Sequence, residues 1–152
     1  MIPKMKGGKM KLISHRGNLN GPNPKLENSP EYVLRALNQG FDVEIDVWFS
    51  NGEYFLGHDN PQFAIDEKFL QDDRLWCHAK NLQALDQMLA NGNIHCFWHQ
   101  TDQVTLTSQN VVWTFPGEKQ IRGSICVLPE TSTEINENII GICSDFIKEF
   151  KC

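Results

Sequence analysis

The chain has 152 residues, 40% hydrophobic and 22% charged, with 11 Gly against 7 Pro, the balance of a folded globular protein and not of a disordered, collagen-like or low-complexity one. Fourteen Lys and Arg against nineteen Asp and Glu give a formal charge of -5, so no general positive field exists to hold nucleic acid. This length buries one core, which gives a single domain over residues 1–152 as the expectation.

In chain order, Met10-Lys11-Leu12-Ile13-Ser14 reads as a short buried strand delivering His15-Arg16-Gly17 at its C-terminal end. Residues 18–28 are rich in Asn, Gly and Pro and form a loop. Ser29-Pro30-Glu31 then supplies an N-cap, a Pro at the first helical position and an acid in the first turn. Tyr32, Val33, Leu34, Ala36 and Leu37 give that helix its apolar face, and Gly40 stops it. From Phe41 to Phe49, Val43, Ile45 and Val47 alternate with Glu44, Asp46 and Trp48, so a strand puts Glu44 and Asp46 on one face. Asn51-Gly52 marks a hairpin turn, and Tyr54-Phe55-Leu56 returns to Gly57-His58-Asp59, near the first strand. A strand from Arg74 to Lys80 precedes a helix capped by Asn81 and stopped at Asn91-Gly92. Further strands are expected at 94–98, 111–115, 124–128 and 139–147, with little helical periodicity between them.

Strand and helix alternate in the front half, which predicts a parallel sheet with helices outside it. A complete eight-fold barrel usually needs ~200 residues or more. The expectation is therefore an α/β fold, a reduced or incomplete (β/α) barrel of the TIM type with several outer helices missing.

The five cysteines are odd in number, lack CxxC spacing and sit in part inside apolar runs, which reads as buried thiols in a reducing compartment. The basic start Met1–Lys9 leads into no apolar stretch of signal-peptide length, and no run approaches the ~20 apolar residues of a membrane span. Cytoplasmic location without a membrane partner is the expectation.

Four strand ends converge in a parallel barrel: His15 with Arg16, Glu44 with Asp46, His58 with Asp59, and His78 with Lys80. The order and spacing of His15-Arg16-Gly17, Glu27-Asn28-Ser29-Pro30, Gly40–Val47, the Asn51-Gly52 turn and Gly57-His58-Asp59 resemble the N-terminal signature of the glycerophosphodiester phosphodiesterase family, a group of phospholipase-C-like barrels. Residues 140–146 look like that family's last strand, Val112-Trp113-Thr114 faintly like another late one, and the middle of the chain matches poorly. The resemblance implies a catalytic pair at His15 and His58, phosphate binding by Arg16 and Lys80, and a divalent metal on Glu44 and Asp46. Mg or Ca is the first choice for that metal, and Mn or Zn the second. Phosphodiester cleavage needs such a set: a base, an acid for the leaving alkoxide and positive charge on the nonbridging oxygens.

The third metal carboxylate of the family is here replaced by His78. Imidazole ligates a metal but removes one negative charge and shifts preference towards softer ions; a hydrogen-bonding role for His78 is the other option. His95 and His99 read as structural or rim histidines, the four tryptophans as packing, and Glu130 as an acid at a strand end. The expected function is metal-assisted hydrolysis of a small glycerophosphodiester-like or sugar-phosphate diester. The alternative is a noncatalytic barrel that binds a phosphorylated ligand after losing part of its metal site. A lipid-headgroup enzyme is disfavoured, because no apolar or basic docking segment is present.

Overall fold

A computed structural model describes residues 9–131 and 134–151; the basic N-terminal stretch up to residue 8 and Cys152 lie outside the described residues. The strands are β1 (Lys11–His15), β2 (Asp42–Ser50), β3 (Glu53–Leu56), β4 (Phe63–Ile65), β5 (Leu75–Ala79), β6 (Cys96–Phe97), β7 (Val104–Leu106), β8 (Val112–Thr114), β9 (Ser124–Val127) and β10 (Gly141–Ser144). Two α-helices accompany them, α1 (Pro30–Asn38) and α2 (Leu82–Asn91).

The reduced TIM-type barrel expected from the sequence is not what forms. All ten strands join one curled mixed sheet that makes a half-barrel. Its parallel part runs β6-β5-β2-β1-β10-β9-β8. Three antiparallel strands are added: β3 on β2, β4 on β3, and β7 on β8. Among the described residues, α-helices follow only β1 and β5. The segment joining β8 to β9 is a loop, and the described residues between β9 and β10 form a short 3₁₀ turn and loop, so the strand-helix alternation of a TIM barrel stops halfway. The curl brings the far edge back towards β6, where the Ser108 amide donates to the Cys96 carbonyl at 2.8 Å.

Both helices start where their sequences dictate. Ser29 Oγ accepts from the Tyr32 amide with Pro30 in the first turn, and Asn81 Oδ1 accepts from the Ala84 amide at 2.9 Å. Each satisfies one orphan donor of a helix start. Alternation along the strands then divides the side chains between two faces. Val43, Ile45 and Val47 pack outward with Val33, Ala36 and Met88 of the helices, and Cys77 and Cys96 join that layer. The inner face holds a second apolar cluster from Ile13, Trp76, Phe97, Trp113, Ile125 and Cys143. The four described cysteines are free thiols, all buried, and burial pushes those of Cys77 and Cys143 well above the usual thiol range. Among the described residues, no helix is long and apolar enough to cross a membrane.

Candidate functional site

The site sits above the inner cluster, where β1, β2, β5 and β10 end. Parallel register decides who meets whom. His15 pairs with Glu44 across β1 and β2, and Asp46 pairs with His78 across β2 and β5. Ser14 pairs with Ser144 across β1 and β10, so the next residues, His15 and Asp145, lie side by side. The β2–β3 hairpin extends the nine-residue β2 beyond the sheet and then returns; Gly57 donates its amide to the Asp46 carbonyl at 3.1 Å, which brings His58 back to the strand ends. Gly57 is required there, since a Cβ would collide with the Asn60 carbonyl oxygen. Trp48 pins the return by donating its indole N–H to the Gly57 carbonyl at 2.6 Å.

His15 Nδ1 lies 2.7 Å from Asp145 Oδ1, and its Nε2 lies 3.9 Å from Glu44 Oε1. Burial opposes a charge on this imidazole, but the Asp145 hydrogen bond and the Glu44 charge outweigh it and raise its pKa. Asp145 is itself fixed: Asn18 Nδ2 donates to Oδ1 at 2.9 Å, and the Tyr32 hydroxyl donates to Asn18 Oδ1 at 2.9 Å. Gly17, in the left-handed region, lies against Tyr32, whose ring leaves no room for a Cβ there. Burial alone would raise the Asp145 carboxyl, yet His15 and Asn18 hold it below its ordinary value.

Asp46 is almost fully buried and held from three sides. Asn28 donates to Oδ2 at 2.9 Å and accepts from the Asp46 amide at 2.9 Å. Arg16 Nε approaches Oδ2 at 3.1 Å, and His78 Nδ1 lies 3.5 Å from Oδ1. Against desolvation, His78, Arg16 and Asn28 keep this carboxyl well below the usual carboxylate range. Arg16 is not free either: its Nη1 also reaches Glu27 Oε1 at 3.2 Å. Among the described residues, Nη2 carries no hydrogen bond, which leaves one edge of the guanidinium for an anion. Both Arg16 and Asn28 occupy the left-handed region, a cost for non-glycine residues that concentrates at functional sites. Asn tolerates that conformation better than Arg.

His78 Nε2 donates to the His99 carbonyl at 2.8 Å, so Nδ1 turns to the carboxylates, 3.7 Å from Glu44 Oε2. Its ring is stacked on Phe97 at 4.9 Å. Burial favours the neutral imidazole, but the two carboxylates win and push its pKa up to about 9. Glu44, Asp46 and His78 each present a ligand atom within 4.8 Å of the others, and Glu44 Oε1 is buried without a hydrogen-bond partner. Counting the carboxylates that contact His15, Arg16 or His78 gives four (Glu27, Glu44, Asp46, Asp145) against two permanent cations, Arg16 and Lys80. A metal on Nδ1 displaces the His78 proton, and with His78 and His15 both neutral the surplus is two negative charges. An orphaned carboxylate oxygen, an oriented imidazole nitrogen and this surplus together fit a divalent cation. An imidazole in place of a third carboxylate makes the donor set softer than an all-oxygen one.

Every sequence-derived site residue thus reaches one region. His15, Arg16, Glu44, His58, His78 and Lys80 line a cavity of about 320 Å³, with Asp46 buried beneath it. His58 is the most exposed of them and pairs with Asp59 at 2.8 Å. His99 also lines the cavity, whereas His95 is buried, bonded to Thr107 Oγ1 at 2.7 Å and pushed down to about 4 by burial. Glu130 accepts from Ser144 Oγ and the Asp145 amide and so braces the turn that carries Asp145. Sequence reasoning put Tyr32 on the apolar face of a helix and Glu27 and Asn28 in a motif, but gave none of Asp145, Asn28, Glu27, Asn18 and Tyr32 a part in the site. An acid directly after the last strand, beside the strand that delivers His15, was the available signal for Asp145.

Comparison with protein-family models, with curated proteins and with solved structures found no match. The likeness to glycerophosphodiester phosphodiesterases rests on the residues quoted above.

Proposed function

We propose that the protein cleaves phosphodiesters of small alcohols, with the organic substituents in the cavity and the phosphate between Arg16, Lys80 and the Glu44-Asp46-His78 cluster. The observation that carries this reading is the His15–Asp145 pair. Nδ1–H is committed to a carboxylate, so the neutral ring presents Nε2 as a base next to a candidate metal cluster in the same cavity. His15 takes the proton from an attacking hydroxyl, either one neighbouring the phosphate in the substrate or water. As the new oxygen–phosphorus bond forms and the old ester bond breaks, His58 gives a proton to the departing alkoxide. Arg16 Nη2 and Lys80 offset charge on the nonbridging oxygens. A divalent ion held by Glu44, Asp46 and His78 would add Lewis-acid stabilisation to those same oxygens. The test is a panel of glycerophosphodiesters incubated with Mg, Ca, Mn or Zn and with EDTA, read by release of phosphomonoester.

A second reading has its own observation. The imidazole pushed up to about 9 lies between two carboxylates, so a protonated His78 can take the cation's place, and the pocket then binds a phosphorylated ligand without turnover. His78→Glu separates the two readings, because turnover gained by restoring the carboxylate identifies the missing charge as the defect.

A further inference from the structure

The cavity has two chemically unlike walls. The strand ends of β1, β2 and β5 supply the charged residues described above. Beyond β10, the ends of β8 and β9 supply Trp113, Phe115, Pro116, Val127 and Leu128, none of them polar enough to hold a charge. Phe115 meets the His99 ring edge to face at 5.5 Å, and His99 Nε2 donates to the Asp102 carbonyl at 2.6 Å, so this shelf is braced. Leu128 sits in the left-handed region with φ 51, an outlier for a bulky side chain. Three hydrogen bonds enforce it: its amide donates to the Cys143 carbonyl, and its own carbonyl accepts from the amide and the hydroxyl of Thr131. A leucine stands where glycine would be relaxed, and it lines the cavity next to Val127. Strain kept at a cavity wall is a pointer to function.

We infer that this wall receives the substituent carried on the phosphate, and that the substituent is flat and apolar, an aromatic ring on the alcohol that the phosphate esterifies. The inference rests on the phosphodiester reading for what the ring is attached to. A carboxylate or polyol headgroup laid against these five side chains would lose water without gaining a partner, and an ammonium would gain only the rings of Trp113 and Phe115. A ring loses only unfavourable hydration and gains contact with Phe115 and Leu128. At about 320 Å³ the cavity is at the small end of ligand sites, in keeping with a phosphate and one ring.

The experiment compares the benzyl, ethyl, choline and ethanolamine diesters of glycerol phosphate with the metal-supplemented full chain. Benzyl and ethyl alkoxides are leaving groups of similar basicity, so their ratio reports the wall. kcat/KM for the benzyl ester is expected to exceed each of the others by about 10-fold or more. Leu128→Gly, which removes the side chain and relaxes the backbone, is expected to lower the benzyl-to-ethyl ratio by about 10-fold; Phe115→Leu lowers it as well. Binding of benzyl phosphate against ethyl phosphate, measured by calorimetry on the wild type and on His15→Ala, reads the wall without turnover. Hydrolysis of all four esters at similar rates, or the choline ester outperforming the benzyl ester, overturns the inference and leaves the phosphodiesterase reading standing. Tighter benzyl phosphate binding with no hydrolysis of any ester does the reverse. Binding of neither phosphate together with no hydrolysis of any ester removes both.

Discussion

In metal-free protein, raising the pH removes a proton that the fold uses. His78 has a folded pKa raised from 6.5 to about 9 by Asp46 and Glu44. A raised value contributes stability that is complete below 6.5 and is lost as the pH passes through about 9. At 1.36 kcal/mol per pH unit, the interval corresponds to about 3 kcal/mol. His15, also raised, acts in the same direction. Asp46, depressed by the same contacts, acts at the other end: its contribution is present above its ordinary value and lost as the pH falls towards the folded one. Stability from this cluster is therefore greatest from about pH 4 to 6.5. Urea unfolding in EDTA at pH 6 and pH 9 measures it. With a slope of about 2 kcal/mol per molar, the midpoint attributable to His78 falls by about 1.5 M, and His78→Gln removes that part of the pH dependence. Adding Mn or Zn at pH 9 to 100 times its Kd restores about 2.7 kcal/mol, because the metal replaces the proton. Equal pH dependence in wild type and His78→Gln, with EDTA throughout, would refute the placement of His78 between the two carboxylates.

Asp145→Asn is expected to keep the fold and lower kcat on the order of 10²-fold or more, because Asn no longer stabilises the imidazolium that forms on His15; steady-state rates with circular dichroism check both parts. Asn28→Gly costs about 2–3 kcal/mol by removing two buried hydrogen bonds to Asp46, and Asn28→Ala costs about 1 kcal/mol more because alanine lacks glycine's freedom at φ 68; chemical denaturation of the two variants separates the terms. Asp46→Asn weakens Mn or Zn binding and turnover together, as read by metal titration and rate on the same samples. kcat/KM follows a bell in pH, and the inflection due to His15 shifts down in Asp145→Asn, which removes the negative partner of its imidazolium.

The site was more legible in the sequence than the fold. Alternation in Val43–Val47 placed Glu44 and Asp46 on one face, and the Asn51-Gly52 turn returned His58 to the strand ends, because period-two patterning and turn chemistry are local signals. Architecture depends on connections. Val104–Leu106 is three residues long between polar loops, too short to announce β7, and β4 is three residues long with half-exposed ends. The strand expected over 139–147 shrinks to Gly141–Ser144, followed by a 3₁₀ turn. Where no helix covers β8 to β10, loops and antiparallel additions finish the sheet, and the TIM-type expectation failed there. Asp145 was missed for a related reason: its partner lies 130 residues away, and only the β1–β10 register brings them together.

The most direct measurement is phosphorus-31 NMR of glycerophosphodiesters, the benzyl ester included, incubated with protein supplemented with Mg, Ca, Mn or Zn, with EDTA, and with His15→Ala. A phosphomonoester resonance, or a cyclic phosphate resonance if the neighbouring hydroxyl attacks, should grow only with wild-type protein and metal. Unchanged diester in every sample, while calorimetry registers phosphate-ester binding, would contradict catalysis and leave a binding protein.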